Sequence, residues 1–235
     1  NQIFEKDGLD AYYKYQLENE DKSLKKGTGY RLVENILKIN SFFSSDERQV
    51  EVIILSKNNA ATSLRITNAI NDLKLDIIRS AWTSGTNISN YLKAFKVDLF
   101  LSADDNDVLN AIENGVAAAK ILHSNENIHN ISNEQVRIAF DGDAVLFSEE
   151  SELVYKNHGL EAFIEHEKEN RNNPLEMGPF AKLLLTIAKI QAKFPTDKSP
   201  IRTAFVTARS APTHERVIKT FNLWGVRVDE AFFLG

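Results

Sequence analysis

The sequence of 235 residues contains no cysteine, and this absence removes several kinds of chemistry. Disulfide frameworks, thiolate metal sites and cysteine nucleophiles are excluded. A reducing compartment, the cytoplasm, fits such a chain. The sequence also has no run of about 18 apolar residues, so it predicts no membrane span. Its opening, N-Q-I-F-E-K-D, has none of the features of a signal peptide.

Positive charge is in short supply, because 28 Lys and Arg are outnumbered by 33 Asp and Glu, for a formal net charge of −5. Such a chain is a poor non-specific partner for nucleic acid, which requires clustered cations. Small anionic ligands remain possible, because a few local cations or backbone N–H groups are enough to bind them. The phosphate-binding loop G-x-x-x-x-G-K-S/T is absent, which disfavours ATP hydrolysis of that type.

What the sequence does contain is an internal repeat at an offset of 151 residues. Residues 4–84 (the first copy) align without a gap with residues 155–235 (the second copy), with 17 identities in 81 positions. The matching apolar pattern favours a duplication. The alternative is a pair of similar βα units within a single sheet.

Both copies have the same predicted order of elements: an amphipathic segment, a helix after a Gly-marked turn, a buried strand and a second helix. The predicted ranges are 10–20, 30–43, 50–55 and 60–72 in the first copy, and 161–170, 179–194, 201–206 and 211–223 in the second. Outside this pattern we predict strands over 97–101 and 136–140, a helix over 105–121, and a loop or boundary in the Asn-rich segment 123–133.

Apolar strands that alternate with helices indicate a parallel sheet covered on both faces. We therefore predict an α/β fold of two duplicated units, residues 1–122 and 134–235. Strand 136–140 precedes the second copy, and its counterpart would lie before residue 1. The counterpart of 85–121 would lie after Gly235. The repeat thus predicts a native protein that is longer on both sides.

The motif with the clearest chemistry is Asp141-Gly142-Asp143, directly after the strand 136–140. In open α/β sheets, ligands bind at the carboxyl ends of strands, and Gly142 allows close approach of a ligand. One carboxylate can attack phosphorus while it binds Mg²⁺, and the other can protonate the leaving alkoxide and then activate water. A D-G hairpin turn is the structural alternative. A calcium EF-hand loop fits poorly, because Val145 and Leu146 stand where an oxygen ligand and Gly are needed.

A second motif, V-T-A-R-S, ends the strand of the second copy. The hydroxyl of Thr207 and the following N–H groups near Ala208 would lie at a helix N-terminus, where anions bind. Arg209 could add a charged contact to phosphate. The alternative is an ordinary N-cap followed by a surface arginine.

Strand-D-x-D-x-V followed by strand-Thr resembles the haloacid dehalogenase (HAD) superfamily of phosphatases. The strings A-F-D-G-D-A-V-L-F-S-E-E-S, V-T-A-R-S-A, Y-L-K-A-F, L-S-A-D and G-V-A-A-A are similar to the cytosolic 5′-nucleotidase type I family, the AMP-preferring group. The resemblance implies a Rossmann-like, HAD-like fold. It also implies that Asp141 is the nucleophile and a Mg²⁺ ligand, that Asp143 is the general acid/base and gives its backbone carbonyl to the metal, and that Thr207 holds the phosphoryl oxygens.

The superfamily pattern also requires a Lys and an acidic pair after the second strand unit, and the chain ends before either. Lys93 and Asp104-Asp105 stand at the corresponding places after the first copy, which we interpret as a degenerate, non-catalytic half. A surface Lys and a helix N-cap Asp are the simpler interpretation of these residues. Asn58 and Asn59, which follow the strand of the first copy, are candidates to bind a base or ribose, although Asn also suits loops.

The sequence therefore predicts a cytoplasmic Mg²⁺-dependent 5′-nucleotidase that acts on AMP-like nucleoside monophosphates. Its candidate substrate-binding residues are Gly142, Ala208, Arg209, Asn58 and Asn59. We expect no nucleic-acid or membrane partner, and a homo-oligomer is possible. Two alternatives stay open: a phosphorylatable receiver-type signalling domain, which the i, i+2 spacing of the carboxylates disfavours, and a catalytically inactive nucleotide-binding module.

Overall fold

The computed structural model describes residues 2–122 and 135–235 of the chain. In these ranges every two strands that pair with each other are separated along the chain by one or two helices. The helices are α1 (Gln2–Glu18), α2 (Tyr30–Lys38), α3 (Leu64–Asp72), α4 (Ser89–Leu92), α5 (Asp105–Glu113), α6 (Glu150–Glu169), α7 (Ala181–Gln191) and α8 (His214–Trp224). The strands are β1 (Ile53–Ser56), β2 (Arg79–Trp82), β3 (Phe100–Ser102), β4 (Ala118–Lys120), β5 (Val136–Asp141), β6 (Ile201–Thr207) and β7 (Glu230–Phe233). None of the helices described has both the length and the apolar character needed to cross a membrane.

All the named strands pair in parallel, in three small sheets of order β1-β2, β3-β4 and β5-β6-β7. Parallel pairing requires crossover connections, which the intervening helices supply. The prediction of an α/β fold with parallel strands is confirmed. The parallel pairing of β5 with β6 also excludes a hairpin at Asp141-Gly142, because a hairpin joins antiparallel strands.

The described chain divides into two compact units. The first unit holds residues 2–91 together with 121 and 122, and the second holds Leu92–Lys120 together with residues 135–235. The predicted boundary segment 123–133 lies outside the described residues. The division into residues 1–122 and 134–235 stays a prediction.

An aromatic cluster forms the centre of the second unit. Phe147 and Phe205 are fully buried, with ring centroids 5.9 Å apart, and Phe221 lies 5.6 and 5.1 Å from them. Edge-to-face and tilted contacts of this kind add to the free energy gained by burying the rings. Because Phe205 belongs to β6 and Phe147 follows Asp143 closely, the cluster anchors the carboxyl ends of β5 and β6.

The predicted helix over 105–121 is too long. Helix α5 ends at Glu113, and Gly115 follows with a positive φ of 73°, a left-handed conformation that Gly adopts without strain. Residues 118–120 then form β4, in parallel register with β3. The predicted helix is thus replaced by a shorter helix and a strand, because pairing with β3 overrides the helical propensity of an Ala-rich segment.

The structure repeats local contacts at the offset found in the sequence. Within the first unit Ile53 of β1 pairs with Arg79 of β2, and within the second unit Ala204 pairs with Glu230. Gly8 interrupts α1 with φ 83° and ψ −177°, and its counterpart interrupts α6 with φ 82° and ψ −176°. Each pair of positions is separated by 151 residues, so the similarity extends from apolar pattern to backbone geometry.

Candidate active site

The two acidic side chains of the D-x-D motif lie at the carboxyl end of β5. Asp141 is the last residue of the strand and is exposed, and its Oδ1 accepts a hydrogen bond of 2.7 Å from the N–H of Gly142. The chain then turns through Gly142–Leu146, closed by a bond of 3.0 Å from the N–H of Phe147 to the carbonyl of Gly142. The strand therefore presents a carboxylate to solvent and reverses direction at once.

Gly142 packs closely against β6. A Cβ at this position would lie 3.0 Å from Cζ of Phe205 and 3.2 Å from Oγ1 of Thr207, closer than nearly all real contacts. In the register of the sheet Asp141 is opposite Val206, so Thr207 follows directly on the neighbouring strand. The D-x-D turn and the strand-terminal hydroxyl are therefore brought together, as the sequence predicted.

The segment after Thr207 differs from the sequence prediction in one respect. Helix α8 begins at His214 and not near residue 211, so the loop 208–213 separates it from β6. Thr207 is buried, and its Oγ1 accepts a bond of 3.2 Å from the N–H of Arg209, which closes a tight hydroxyl turn. Ala208, between them, is exposed. Any anion at this strand end would meet the turn itself and not a helix N-terminus.

Arg209 is turned inward, and its side chain is only 2% exposed. Its Nε donates to Oδ2 of Asp143 at 2.9 Å and its Nη2 donates to Oδ1 at 2.5 Å, a bidentate pairing. Its Nη1 donates to the buried carboxylate of Glu167. The guanidinium is thus committed to two carboxylates, which does not fit the expectation that it contacts a substrate phosphate directly.

Glu167, on α6, belongs to a buried network that sequence reasoning missed. Its Oε1 accepts from the hydroxyl of Ser151 at 2.7 Å and from Nη1 of Arg216 at 2.9 Å. Burial by itself raises the pKa of Glu167, but the charges of Arg209 and Arg216 and the Ser151 hydrogen bond outweigh it and leave the pKa below its ordinary value of 4.5. The carboxylate is therefore held ionised inside the protein.

The same network also shifts the pKa of Arg209. Burial by itself lowers the pKa of its guanidinium, but the hydrogen bonds and charges of Asp143 and Glu167 raise that pKa above its ordinary value. The only sequence signal for this network was the repeat. Glu167 and Arg209 align with the uncharged Gln16 and Asn58, whereas Arg216 aligns with another arginine, Arg65.

The donor set at the D-x-D motif fits a hard divalent cation. The exposed carboxylate of Asp141 and the backbone carbonyl of Asp143 are oxygen donors, and Mg²⁺ is commonly bound by few protein oxygens together with waters. No three acidic or histidine side chains come together as a metal site in the part of the chain that is described. The carboxylate of Asp143 is bound to Arg209, so its carbonyl is the better candidate ligand.

The other predicted residues have clear local roles. In the first unit, Oδ1 of Asn58 accepts from the Tyr12 hydroxyl at 3.2 Å, and Oδ1 of Asn59 accepts from the N–H of Thr62 at 2.8 Å. In the second unit, Asp104 is the N-cap of α5, the simpler of the two interpretations above.

The remaining two candidates of the degenerate half also belong to the second unit. Asp105 pairs with Lys120 at 2.8 Å. Lys93 is exposed and lines a cavity of about 340 Å³ together with Lys96 and Lys182.

Comparison with known proteins identifies the family of the chain. The family model described as 5′-nucleotidase matches residues 1–235. The chain belongs to the 5′-nucleotidase family. It is 36% identical over 241 residues to cytosolic 5′-nucleotidase 1B of Homo sapiens, with 99% of this chain covered. The predicted membership in the cytosolic 5′-nucleotidase type I family is therefore confirmed.

The chain spans about two fifths (39%) of the length of that human relative. No solved structure matches the chain.

Proposed function

We propose that the protein containing this chain hydrolyses nucleoside 5′-monophosphates, AMP or similar nucleotides, to nucleoside and phosphate. The observation that carries the proposal is the exposed carboxylate of Asp141, presented at a strand end beside the hydroxyl of Thr207. Membership in the 5′-nucleotidase family supports it. Family membership also disfavours the receiver-type signalling domain, because a receiver domain does not hydrolyse nucleotides.

In the proposed reaction a carboxylate oxygen of Asp141 attacks phosphorus, and the bond between phosphorus and the 5′ oxygen breaks. Asp143 donates a proton to the leaving nucleoside oxygen from one carboxyl oxygen, which gives up its bond to Arg209 for that step while the other oxygen keeps its bond. Water then attacks the aspartyl phosphate on Asp141, Asp143 accepts its proton, and phosphate leaves with the carboxylate restored. The Thr207 hydroxyl and the backbone at Gly142 and at the exposed Ala208 are proposed to hold the phosphoryl oxygens.

A Mg²⁺ ion held by the Asp141 carboxylate and the Asp143 carbonyl would supply positive charge to neutralise the phosphate oxygens. We assign the chemistry to residues 134–235 and a non-catalytic role to residues 1–122. Asn58 and Asn59 stay proposed contacts to base or ribose, a role in which their present hydrogen bonds would have to be exchanged. The proposed substrate is a small molecule, and we place the protein in the cytoplasm. We also propose a test for a homo-oligomeric state by light scattering.

The direct test is Asp141→Asn in the intact protein, assayed for phosphate release from AMP with and without Mg²⁺. We expect activity to disappear while the melting temperature stays close to that of the wild type, since Asp141 is exposed. Asp197→Asn is the matched control, because it also removes an exposed carboxylate and should leave turnover unchanged. Full activity of Asp141→Asn would exclude the mechanism, and calorimetric AMP binding without hydrolysis by the wild type would favour an inactive binding module.

A further inference from the structure

We infer that Glu167 is a positioning residue for Asp143 and that it acts through Arg209. The inference rests on the proposed function, in which Asp143 transfers the proton. It assigns a role in turnover to a buried carboxylate that does not itself touch the substrate.

The geometry of Arg209 carries the first step. Its planar guanidinium binds Asp143 through Nε and Nη2 and Glu167 through Nη1, so the two carboxylates lie on one rigid fork. The ring of Phe163 lies against the same group, with the guanidinium carbon 5.3 Å from the ring centroid. A shift of the fork would therefore move the carboxylate of Asp143 with it.

The surroundings of Glu167 carry the second step. Its side chain is fully buried and is fixed by Ser151 and Arg216 in addition to Arg209. Arg216 is itself tied to the backbone by a bond of 2.9 Å from its Nε to the carbonyl of Asn173. Glu167 is consequently an anchored point from which the fork of Arg209 is oriented, and Asp143 lies at the other end.

The first copy supplies the third step, because it keeps an arginine bound to the backbone but has uncharged residues in place of Glu167 and Arg209. There Nε of Arg65 donates to the carbonyl of Lys22 at 2.9 Å, the equivalent of the bond from Arg216 to Asn173. Gln16 occupies the position of Glu167 and accepts from Nη1 of Arg65 at 3.5 Å. The same local arrangement is thus built with a neutral amide in place of a buried carboxylate.

Burying a carboxylate and a guanidinium carries a desolvation penalty that a well-packed neutral pair avoids. The first copy shows that this local structure does not require these charges. They are present in the second copy, where one guanidinium joins Glu167 to Asp143 in the turn that precedes this copy. Orientation of Asp143 is the role that this pairing gives them.

The test is Glu167→Gln in the intact protein, which copies the residue of the first copy. We expect kcat for AMP hydrolysis to fall about 10- to 100-fold, the usual loss when a supporting contact of a reactive group is removed. KM should stay within about twofold, because no substrate contact is lost. In an Arg209→Lys background, which lacks the fork, adding Glu167→Gln should lower kcat no further. Gln16→Ala, the matched change in the first copy, should leave kcat within about twofold of the wild type.

Wild type and Asp141→Asn are assayed beside these variants. If the wild type releases no phosphate, the proposed function fails and the inference fails with it. If the wild type is active and Glu167→Gln keeps full kcat, or if its effect is undiminished in the Arg209→Lys background, the inference alone is overturned. If Glu167→Gln does not fold, Glu167→Asp is used instead, because it keeps the charge on a shorter side chain. A lower kcat with nearly unchanged KM would then support the inference, and an unchanged kcat would overturn it.

Discussion

The two copies of the repeat share a backbone and differ in their charges. In both, a strand-terminal hydroxyl accepts a bond of 3.2 Å from an N–H two residues later, Ser56 from Asn58 and Thr207 from Arg209. In both, the equivalent residue just beyond the second helix has left-handed backbone, Lys74 two residues after α3 with φ 51° and Gly225 directly after α8 with φ 64°. The difference lies in the buried side chains, and it shows that one fold can be kept with or without an ionic network.

The largest expected effect on stability concerns that network. Glu167→Gln should lower the free energy of unfolding by about 3–5 kcal/mol near pH 7, because it leaves Arg209 and Arg216 short of a buried counter-charge. The folded-state pKa of Glu167 lies below its ordinary value of 4.5, so its contribution is present above that pH and is lost as the pH falls through the folded pKa.

Urea unfolding of both proteins at pH 7 and at pH 3 measures this effect. The difference in the free energy of unfolding between wild type and Glu167→Gln should be smaller at pH 3 than at pH 7. A gap that is constant with pH would contradict an ionised Glu167.

The next effect concerns two glycines at equivalent positions. At Gly178 a Cβ would lie 2.3 Å from the carbonyl oxygen of Phe147, whereas at Gly27 nothing lies within 4 Å. Gly178→Ala should therefore destabilise by about 3 kcal/mol and displace the turn that follows Asp143. Gly27→Ala should be neutral within error. Thermal unfolding of the two variants checks this, and equal effects would refute a special role for the turn of the second copy.

A smaller effect separates the two strand-terminal hydroxyls. Thr207→Val and Ser56→Ala each remove an equivalent turn bond, so their costs in stability should be similar. Only Thr207→Val should reduce kcat, by about 100-fold, since only that hydroxyl is proposed to contact the phosphoryl group. Steady-state kinetics with AMP decide, and a comparable loss of activity in both variants would point to a shared structural role.

The smallest effect concerns two ion pairs at equivalent surface positions of the two copies, in which the acidic and the basic residue have changed places. Arg79 pairs with Glu51 in the first copy, and Arg202 pairs with Glu230 at the equivalent positions of the second. These side chains are all partly exposed to solvent, so solvent and salt screen their attraction. Exchanging Glu51 and Arg79 for the opposite charges should change the melting temperature by no more than about 2 °C. A larger shift would mean that the pair has a structural role the second copy lacks.

The sequence predicted the frame of the candidate site well. A mostly apolar strand before Asp141 implied a parallel strand, and β5 begins and ends within one residue of the predicted range. The strand 201–206 was likewise found, as β6. The prediction of burial on both faces is wrong for β5, because Arg137 and Ala139 are exposed. The strands themselves are encoded locally, as short runs of mostly apolar residues with polar residues directly after them.

The misses arose where local signals compete with distant ones. Residues 118–120 look helical alone but pair with β3, and helix α8 starts three residues later than predicted, after Pro212. The direction of Arg209 is the clearest case. Its nearest partners lie 66 and 42 residues away along the chain, at Asp143 and Glu167, beyond the reach of any spacing rule.

The sequence by itself determined that two carboxylates follow one buried strand, that a hydroxyl ends another, and that the chain contains two similar copies. These follow from short-range patterns of apolar and polar residues. Only the tertiary structure decided that Arg209 turns away from solvent to join Asp143 with Glu167. That choice depends on desolvation and on the pairing of buried charges from separate elements, which exist only once β5, β6 and α6 are packed together.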